Sequence, residues 1–206
     1  MARKKAARRK PRRDPDQVAA LLHLDEHEVE ELMKAARSLG RNGHRDATMI
    51  LMAFHHGLRV SELCGLKWDR VYLDKQEIYI TRCKGSESGM HWLFPEDVVA
   101  LRKLGPERSG YVFKSESKLN PGPVTESVFF RIVRRAGIAA RLGNKVHPHQ
   151  LKHANGYWMH RQGFDIREIQ KWQGHRNIQN TAIYTALDTS AIRDKWKRLQ
   201  AQAAER

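Results

Sequence analysis

The sequence predicts a mainly α-helical fold carrying a small antiparallel β-hairpin or three-stranded sheet. Three observations carry that prediction. Apolar residues recur at three- and four-residue spacing, as in Val29, Leu32, Met33 and Ala36, the period of one helix face. Residues 47–56 are apolar on nearly every face, which reads as a helix at the centre of the core. The period changes to two where Ile78 and Ile80 alternate with Tyr79 and Thr81, and again where Met90, Trp92 and Phe94 alternate beyond a Gly/Ser-rich turn. That is the pattern of a hairpin.

In chain order, residues 1–16 form a basic arm expected to be disordered, residues 17–187 the folded domain, and residues 188–206 a closing helix. Asp25 is placed to cap the first helix. Gly40 and Gly43 flank a turn, Asp46 opens the second helix, and Gly57 offers that helix a left-handed stop. Ser61 is expected to cap a short third helix reaching Leu66 or Trp68. After the hairpin, whose turn is 84–89, Pro95 starts a helix to about Leu104. Residues 111–113 read as a short strand or turn, 124–136 as a helix and 138–148 as a basic loop. Helices follow at about 149–162, 165–173 and 178–186, and a charged helix runs on from Thr189.

A chain of 206 residues that is 40% apolar can bury one full core. Its net charge of +15 and pI near 10.2 call for a polyanionic partner. No amphipathic lipid-binding helix stands out, so nucleic acid outranks membrane. Eight Lys and Arg residues fall in the first 13 positions with no acid among them, which leaves about +7 on the rest. Such an arm adds salt-sensitive affinity for phosphates. Further cations, Arg131, Arg134, Arg135, Arg141 and Lys145, surround the loop before His147 and suit phosphate contacts. Cys64 and Cys83 lack metal-ligand spacing, and no apolar run follows the basic N-terminus as an export signal would require. The expectation is a reduced, cytoplasmic, DNA-associated protein without a membrane span.

The densest chemistry lies between His147 and Tyr184. His149, Lys152 and His153 sit three and four apart, on one helix face. Pro148 sets the helix start, so His149 falls in a first turn whose backbone N–H groups favour an anion. A Gly174-His175 pair follows, and Tyr184 lies nine residues beyond that histidine. The alternative is a zinc site built on His147, His149 and His153. Against it, no carboxylate or thiol stands among them and Lys152 would repel a dication.

Four blocks in order resemble the tyrosine recombinases, the phage integrase family, and within it the short fimbrial phase-variation recombinases. They are Arg45-Asp46 with His56-Gly57-Leu58-Arg59-Val60-Ser61-Glu62-Leu63; Lys84-Gly85; His147-Pro148-His149-Gln150-Leu151-Lys152-His153 with Ala154 and Gly156; and Gly174-His175-Arg176-Asn177-Ile178 with Thr181 and Tyr184. The resemblance implies the family's catalytic-domain fold in a chain of little more than that domain. It also implies DNA cleavage and rejoining through a 3′-phosphotyrosine. In that reading Arg59 grips the scissile phosphate, Lys84 protonates the leaving 5′-hydroxyl, His149 transfers a proton, His175 hydrogen-bonds the phosphate, and Tyr184 is the nucleophile. His153 is structural support. Lys152 stands where the family usually has arginine, keeping the charge but losing the planar fork.

The chemistry is coherent without the name. Tyrosine titrates near 10 and needs a base or a positive field to attack a phosphodiester. His149 or His175 would receive its proton, and fixed cations stabilise the pentacoordinate phosphorus without metal or cofactor. The implied partners are double-stranded recombination sites, a homotetramer on DNA and DNA-bending accessory proteins, with inversion, integration or excision as outcomes. Ile192, Trp196 and Leu199 form an apolar stripe expected to pack on a neighbouring subunit or on its own. Two rival classes stay open: a silent DNA-binding regulator, because of Lys152, and a metal-dependent nuclease using the histidines.

Overall fold

The computed structural model describes residues 24–83, 85–116, 122–143, 145–184 and 189–204. The basic arm and Lys84 therefore lie outside the described residues. Helix α1 (Glu26–Ser38) opens on a reciprocal capping box, in which Asp25 accepts from the Glu28 N–H and Glu28 accepts from the Asp25 N–H. It buries Val29, Leu32 and Ala36. Helix α2 (Gly43–His55) is buried at every residue from Ala47 on and packs against α1 and most later helices. It begins a turn before Asp46. Gly43 lies against the Arg37 carbonyl, where a Cβ would collide, so the chain can enter the helix early. Asp46 falls inside the first turn, paired with Arg45 at 2.7 Å.

Gly57 does stop α2, at φ 55. Helix α3 (Val60–Cys64) follows, with a correction to the cap. Arg59 is the N-cap residue, and its N–H is taken by the Glu62 carboxylate at 2.8 Å. The Ser61 hydroxyl instead meets Cys83 Sγ at 3.1 Å.

A 3-10 turn (Trp68–Arg70) leads into a three-stranded antiparallel sheet, β1 (Val71–Tyr72), β2 (Glu77–Ile80) and β3 (Gly89–Trp92), in that order. Ile78 and Ile80 face the core, and the strand opposite presents His91 inward, paired with Ile78. Met90 and Trp92, the apolar residues of β3, point outward. Phe94 leaves the strand and starts α4 (Pro95–Arg102), its N–H held by Asp97 Oδ2 at 2.9 Å. Helix α5 (Glu126–Ala139) is capped by Thr125 and runs into the segment expected as loop. Four further helices follow: α6 (Pro148–Arg161), α7 (Ile166–Gln173), α8 (Gln179–Ala182) and α9 (Thr189–Ala204). Helix α8 is shorter than the span of about 178–186 expected of it. Tyr184 sits in the turn after it, its N–H bonded to the Thr181 carbonyl, which tightens the chain out of α-geometry.

Helix α6 joins two clusters. Its Leu151 and Ala154 belong to the main core, whereas Tyr157 and Met159 pack with Ile169 and Tyr184 in a small second one. Trp196 and Leu199 of the expected stripe are exposed on α9, and the Ile192 side chain lies outside the described residues. Among the described residues no helix is long and apolar enough to cross a membrane.

A polar plug closes the end of α2. His55 Nδ1 lies 2.8 Å from Asp97 Oδ1, and His56 Nδ1 lies 3.3 Å from His91 Nδ1. Burial holds His91 down at about 2 and also lowers His56. Unfolded histidine titrates near 6.5, so below that pH the unfolded chain takes up protons that these folded side chains refuse. Their stabilisation is complete above about pH 6.5 and drains as pH falls, for His91 by roughly 1.4 kcal/mol per pH unit, with His56 acting in the same direction. Urea midpoints should be level between about pH 7 and 8 and fall steeply below about 6. A midpoint unchanged down to about pH 5 would contradict this.

Candidate active site

Arg59 emerges directly after the Gly57 turn, two thirds buried, and its Nη1 donates to Glu62 Oε1 and to Ser86 Oγ, both at 2.8 Å. Glu62 is itself fully buried and collects more donors: the Cys83 N–H at 3.2 Å and Arg82 Nη1 at 2.8 Å. Burial alone would raise its pKa. The Arg82 charge, the Arg59 backbone N–H and the side-chain hydrogen bonds outweigh it and hold the carboxyl at about 2.

Helix α6 brings the histidine-lysine block up against this turn. His149 is exposed at its start and meets the His153 ring edge-on at 4.5 Å. Lys152 is 2% exposed and turned inward, donating to the Gly57 carbonyl at 2.6 Å and the Gln173 carbonyl at 3.2 Å. Burial, then the Arg82 charge, pushes its pKa well down. His175 is buried, its Nδ1 3.0 Å from Thr181 Oγ1, and its backbone bridges Ser86 of the hairpin. Burial depresses its pKa to about 3, helped by Lys152, Arg59 and Arg82. His149, exposed at one side, is lowered by the same kind of sum, its partial desolvation first and then Lys152, His147 and Arg59. Each of these groups lies near enough to the others' positive charge to be shifted by it, so they share one locus.

Tyr184 is 1% exposed. Its hydroxyl donates to Gln173 Oε1 at 3.1 Å and lies 3.2 Å from His153 Nδ1. Gln173 is oriented for this, since its Nε2 donates to the Lys152 carbonyl and to Asn155 Oδ1. The tyrosine ring lies edge-on to Tyr157 and fills the space beside Gly156, where any Cβ would strike it. Burial raises the Tyr184 pKa above that of a free phenol.

The fold thus draws Arg59, His149, Lys152 and His175 together and sets Tyr184 beside His153. Lys84 lies outside the described residues, though its hairpin is docked here through Ser86 and through the Glu87 N–H on the Gly174 carbonyl at 3.1 Å. His147, His149 and His153 do not converge: among the described residues no three His, Cys, Asp or Glu side chains gather to hold a metal ion. Arg131, Arg134, Arg135, Arg141 and Lys145 are all exposed. Sequence reasoning assigned no part to Glu62, Arg82, Gln173 or Ser86. Only Glu62 left a signal, as an acid three residues after Arg59 at a helix start, the spacing of a capping box.

Residues 23–191 match the phage integrase family. The chain belongs to this family, that of the tyrosine recombinases. It is similar to type 1 fimbriae regulatory protein FimE of Escherichia coli (strain K12), 34% identical over 186 residues that cover 85% of this chain and 91% of FimE. It is 30% identical over 177 residues to tyrosine recombinase XerA of Pyrococcus horikoshii, covering 83% of this chain and 59% of XerA. A crystal structure of XerA recombinase superposes with TM-score 0.70 at 30% identity, over 85% of this chain and 64% of that one. The chain therefore spans under two thirds of XerA but most of FimE. Membership in a tyrosine recombinase family makes this a site-specific recombinase and places its helical domain and three-stranded sheet in the catalytic-domain fold.

Proposed function

We propose that this recombinase breaks and rejoins double-stranded DNA through a 3′-phosphotyrosine on Tyr184, acting as a homotetramer on paired recombination sites. Inversion of a DNA segment is the favoured outcome, given the extent of the likeness to a fimbrial regulatory protein. The observation that carries the reading is the cluster of Arg59, His149, Lys152 and His175 beside one tyrosine hydroxyl. A scissile phosphate entering it would be held by Arg59 and His175, and Lys152 would stabilise its charge from beneath. Tyr184 would leave its contact with Gln173, attack phosphorus and lose its proton to a neighbouring histidine. His149 and Lys84 would handle the proton of the departing 5′-hydroxyl. The phosphotyrosine conserves the phosphodiester energy, so the reverse attack by a 5′-hydroxyl reseals the strand without a nucleotide cofactor.

A duplex nicked beside the cleavage site tests this, because the short fragment diffuses away and traps the intermediate. The expected result is a covalent protein–DNA adduct formed in EDTA, with the DNA mapping to Tyr184. Absence of adduct at saturating DNA would overturn the reading in favour of a DNA-binding regulator, the alternative that the inward-turned Lys152 supports. Cleavage that needs a divalent ion and leaves no adduct would indicate a nuclease.

Two expectations follow from the depressed basicity of the cluster. Burial and mutual repulsion lower the pKa values of His149, His175 and Lys152, and a bound phosphate would oppose that repulsion. Site binding should therefore be accompanied by proton uptake, which calorimetry in buffers of different ionisation enthalpy would read out. Lys152→Met removes a donor from two carbonyls and the ammonium that a bound phosphate would favour, so cleavage should fall by roughly 10- to 100-fold. Lys152→Arg keeps both and should stay within about tenfold of the unmodified rate. A larger loss would mean that the pocket accepts only lysine there.

A further inference from the structure

We infer that Arg82 is a positioning residue for this site, orienting Arg59 through the shared Glu62 carboxylate and clamping the β2–β3 hairpin to the end of α7. The inference rests on Arg59 being the group that holds the phosphate.

The Arg82 side chain is fully buried, so it touches no substrate. Its Nη1 donates to the Gly57 carbonyl at 3.0 Å and to Glu62 Oε2 at 2.8 Å. Its Nη2 donates to the His56 carbonyl at 3.1 Å and to the Trp172 carbonyl at 2.6 Å. Both terminal nitrogens are thus engaged twice, whereas Nε is buried without a partner. That nitrogen is pressed toward Gly174, where an added Cβ would stand 3.2 Å from it and 2.6 Å from the Glu87 carbonyl. Gly174 is left-handed, at φ 66, so the close approach and the backbone both require glycine.

The partners come from three places. Two carbonyls belong to the turn that delivers Arg59, one belongs to the last residues of α7 before His175, and the carboxylate is the one that grips Arg59. Glu62 divides its oxygens, Oε1 to Arg59 Nη1 and Oε2 to Arg82 Nη1. Arg82 also sets its neighbours along the hairpin: the Cys83 N–H returns to Glu62, and Ser86 Oγ receives Arg59. A buried ion pair contributes little net stability compared with an apolar plug of the same volume. What a rigid planar fork does supply is fixed geometry among four acceptors on separate segments, and an ammonium on a flexible stem cannot span them.

The test is a double-mutant cycle on the nicked duplex, read as the single-turnover rate constant for adduct formation at saturating DNA. The rate constant, unlike the amplitude, is insensitive to any fraction of molecules that fail to fold. Arg82→Lys should slow adduct formation by roughly 10- to 100-fold while DNA affinity stays within about threefold. In an Arg59→Lys background the same change should cost less than about threefold, because the group it orients is already gone. If Arg82→Lys melts below the assay temperature, Arg82→Gln is read in its place. A rate equal to that of the unmodified chain, or an equal slowing in both backgrounds, would overturn the inference while leaving the recombinase reading intact. An unmodified chain that forms no adduct would overturn the reading of the site, and the inference with it.

Discussion

Tyr184→Phe is expected to abolish adduct formation while shifting stability by only about 1–2 kcal/mol. The two effects separate because the ring and the hydroxyl do different jobs. The ring fills a fitted space beside Gly156 and meets Tyr157 edge-on with centroids 5.0 Å apart, in the small cluster with Met159 and Ile169. Phenylalanine keeps all of that. The hydroxyl supplies a donor to Gln173 Oε1, which is left buried and unsatisfied, and a contact to His153. Gln173 stays anchored through Nε2, so the loss is local. Denaturing gels of the nicked-duplex reaction and thermal melts of both proteins would measure the two effects. The informative control is Tyr157→Phe, whose hydroxyl donates to the Ile183 carbonyl at 3.3 Å. That variant should still form adduct. Adduct from Tyr184→Phe but none from Tyr157→Phe would move the nucleophile to the neighbouring ring.

Much of this architecture was legible because it is local. The period of α1, the all-round apolar character of α2 and the alternation at Ile78 and Ile80 each report burial through spacing alone, and burial is where those residues lie. The helix phase that puts His149, Lys152 and His153 on one face was legible for the same reason. What that face meets was not. Lys152 is buried because it packs under the Gly57 turn, 95 residues away, and no periodicity encodes such a contact. Arg82 is harder still, a lone cation at the end of a strand whose partners sit near positions 57, 62 and 172. On β3 hydropathy misleads, since it favours Met90 and Trp92 as the inner face when the inward residue is His91. The sheet there meets the polar plug of His56 and Asp97, and a neutral imidazole can both pack and hydrogen-bond. Ser61 was the obvious cap by residue type, yet Glu62 reaches the Arg59 N–H because the same carboxylate is already fixed by Arg82 and Cys83.

Glu62→Gln should destabilise the fold by about 3 kcal/mol or more and cut cleavage severely. Two views of the same interaction give that size. A buried carboxylate shared by two guanidiniums cannot be neutralised without leaving a buried charge unpaired, and breaking such a pair typically costs about 3–5 kcal/mol. The pKa of about 2 against an unfolded value near 4.3 corresponds to roughly 3 kcal/mol of linkage. That contribution is present above the unfolded pKa and is lost as pH falls through the folded one, so the deficit of the variant should shrink below about pH 4. Glutamine also presents an amide N–H₂ to Arg59, Arg82 or the Cys83 N–H, each of which needs an acceptor. Arg82→Met separates the two consequences. In a Glu62→Gln background it removes the stranded guanidinium and should recover part of the lost stability. It cannot restore the anchor on Arg59, so cleavage should stay low. Urea denaturation and nicked-duplex rates on the four proteins would test this, and recovery of cleavage together with stability would show that Glu62 acts only by holding the fold.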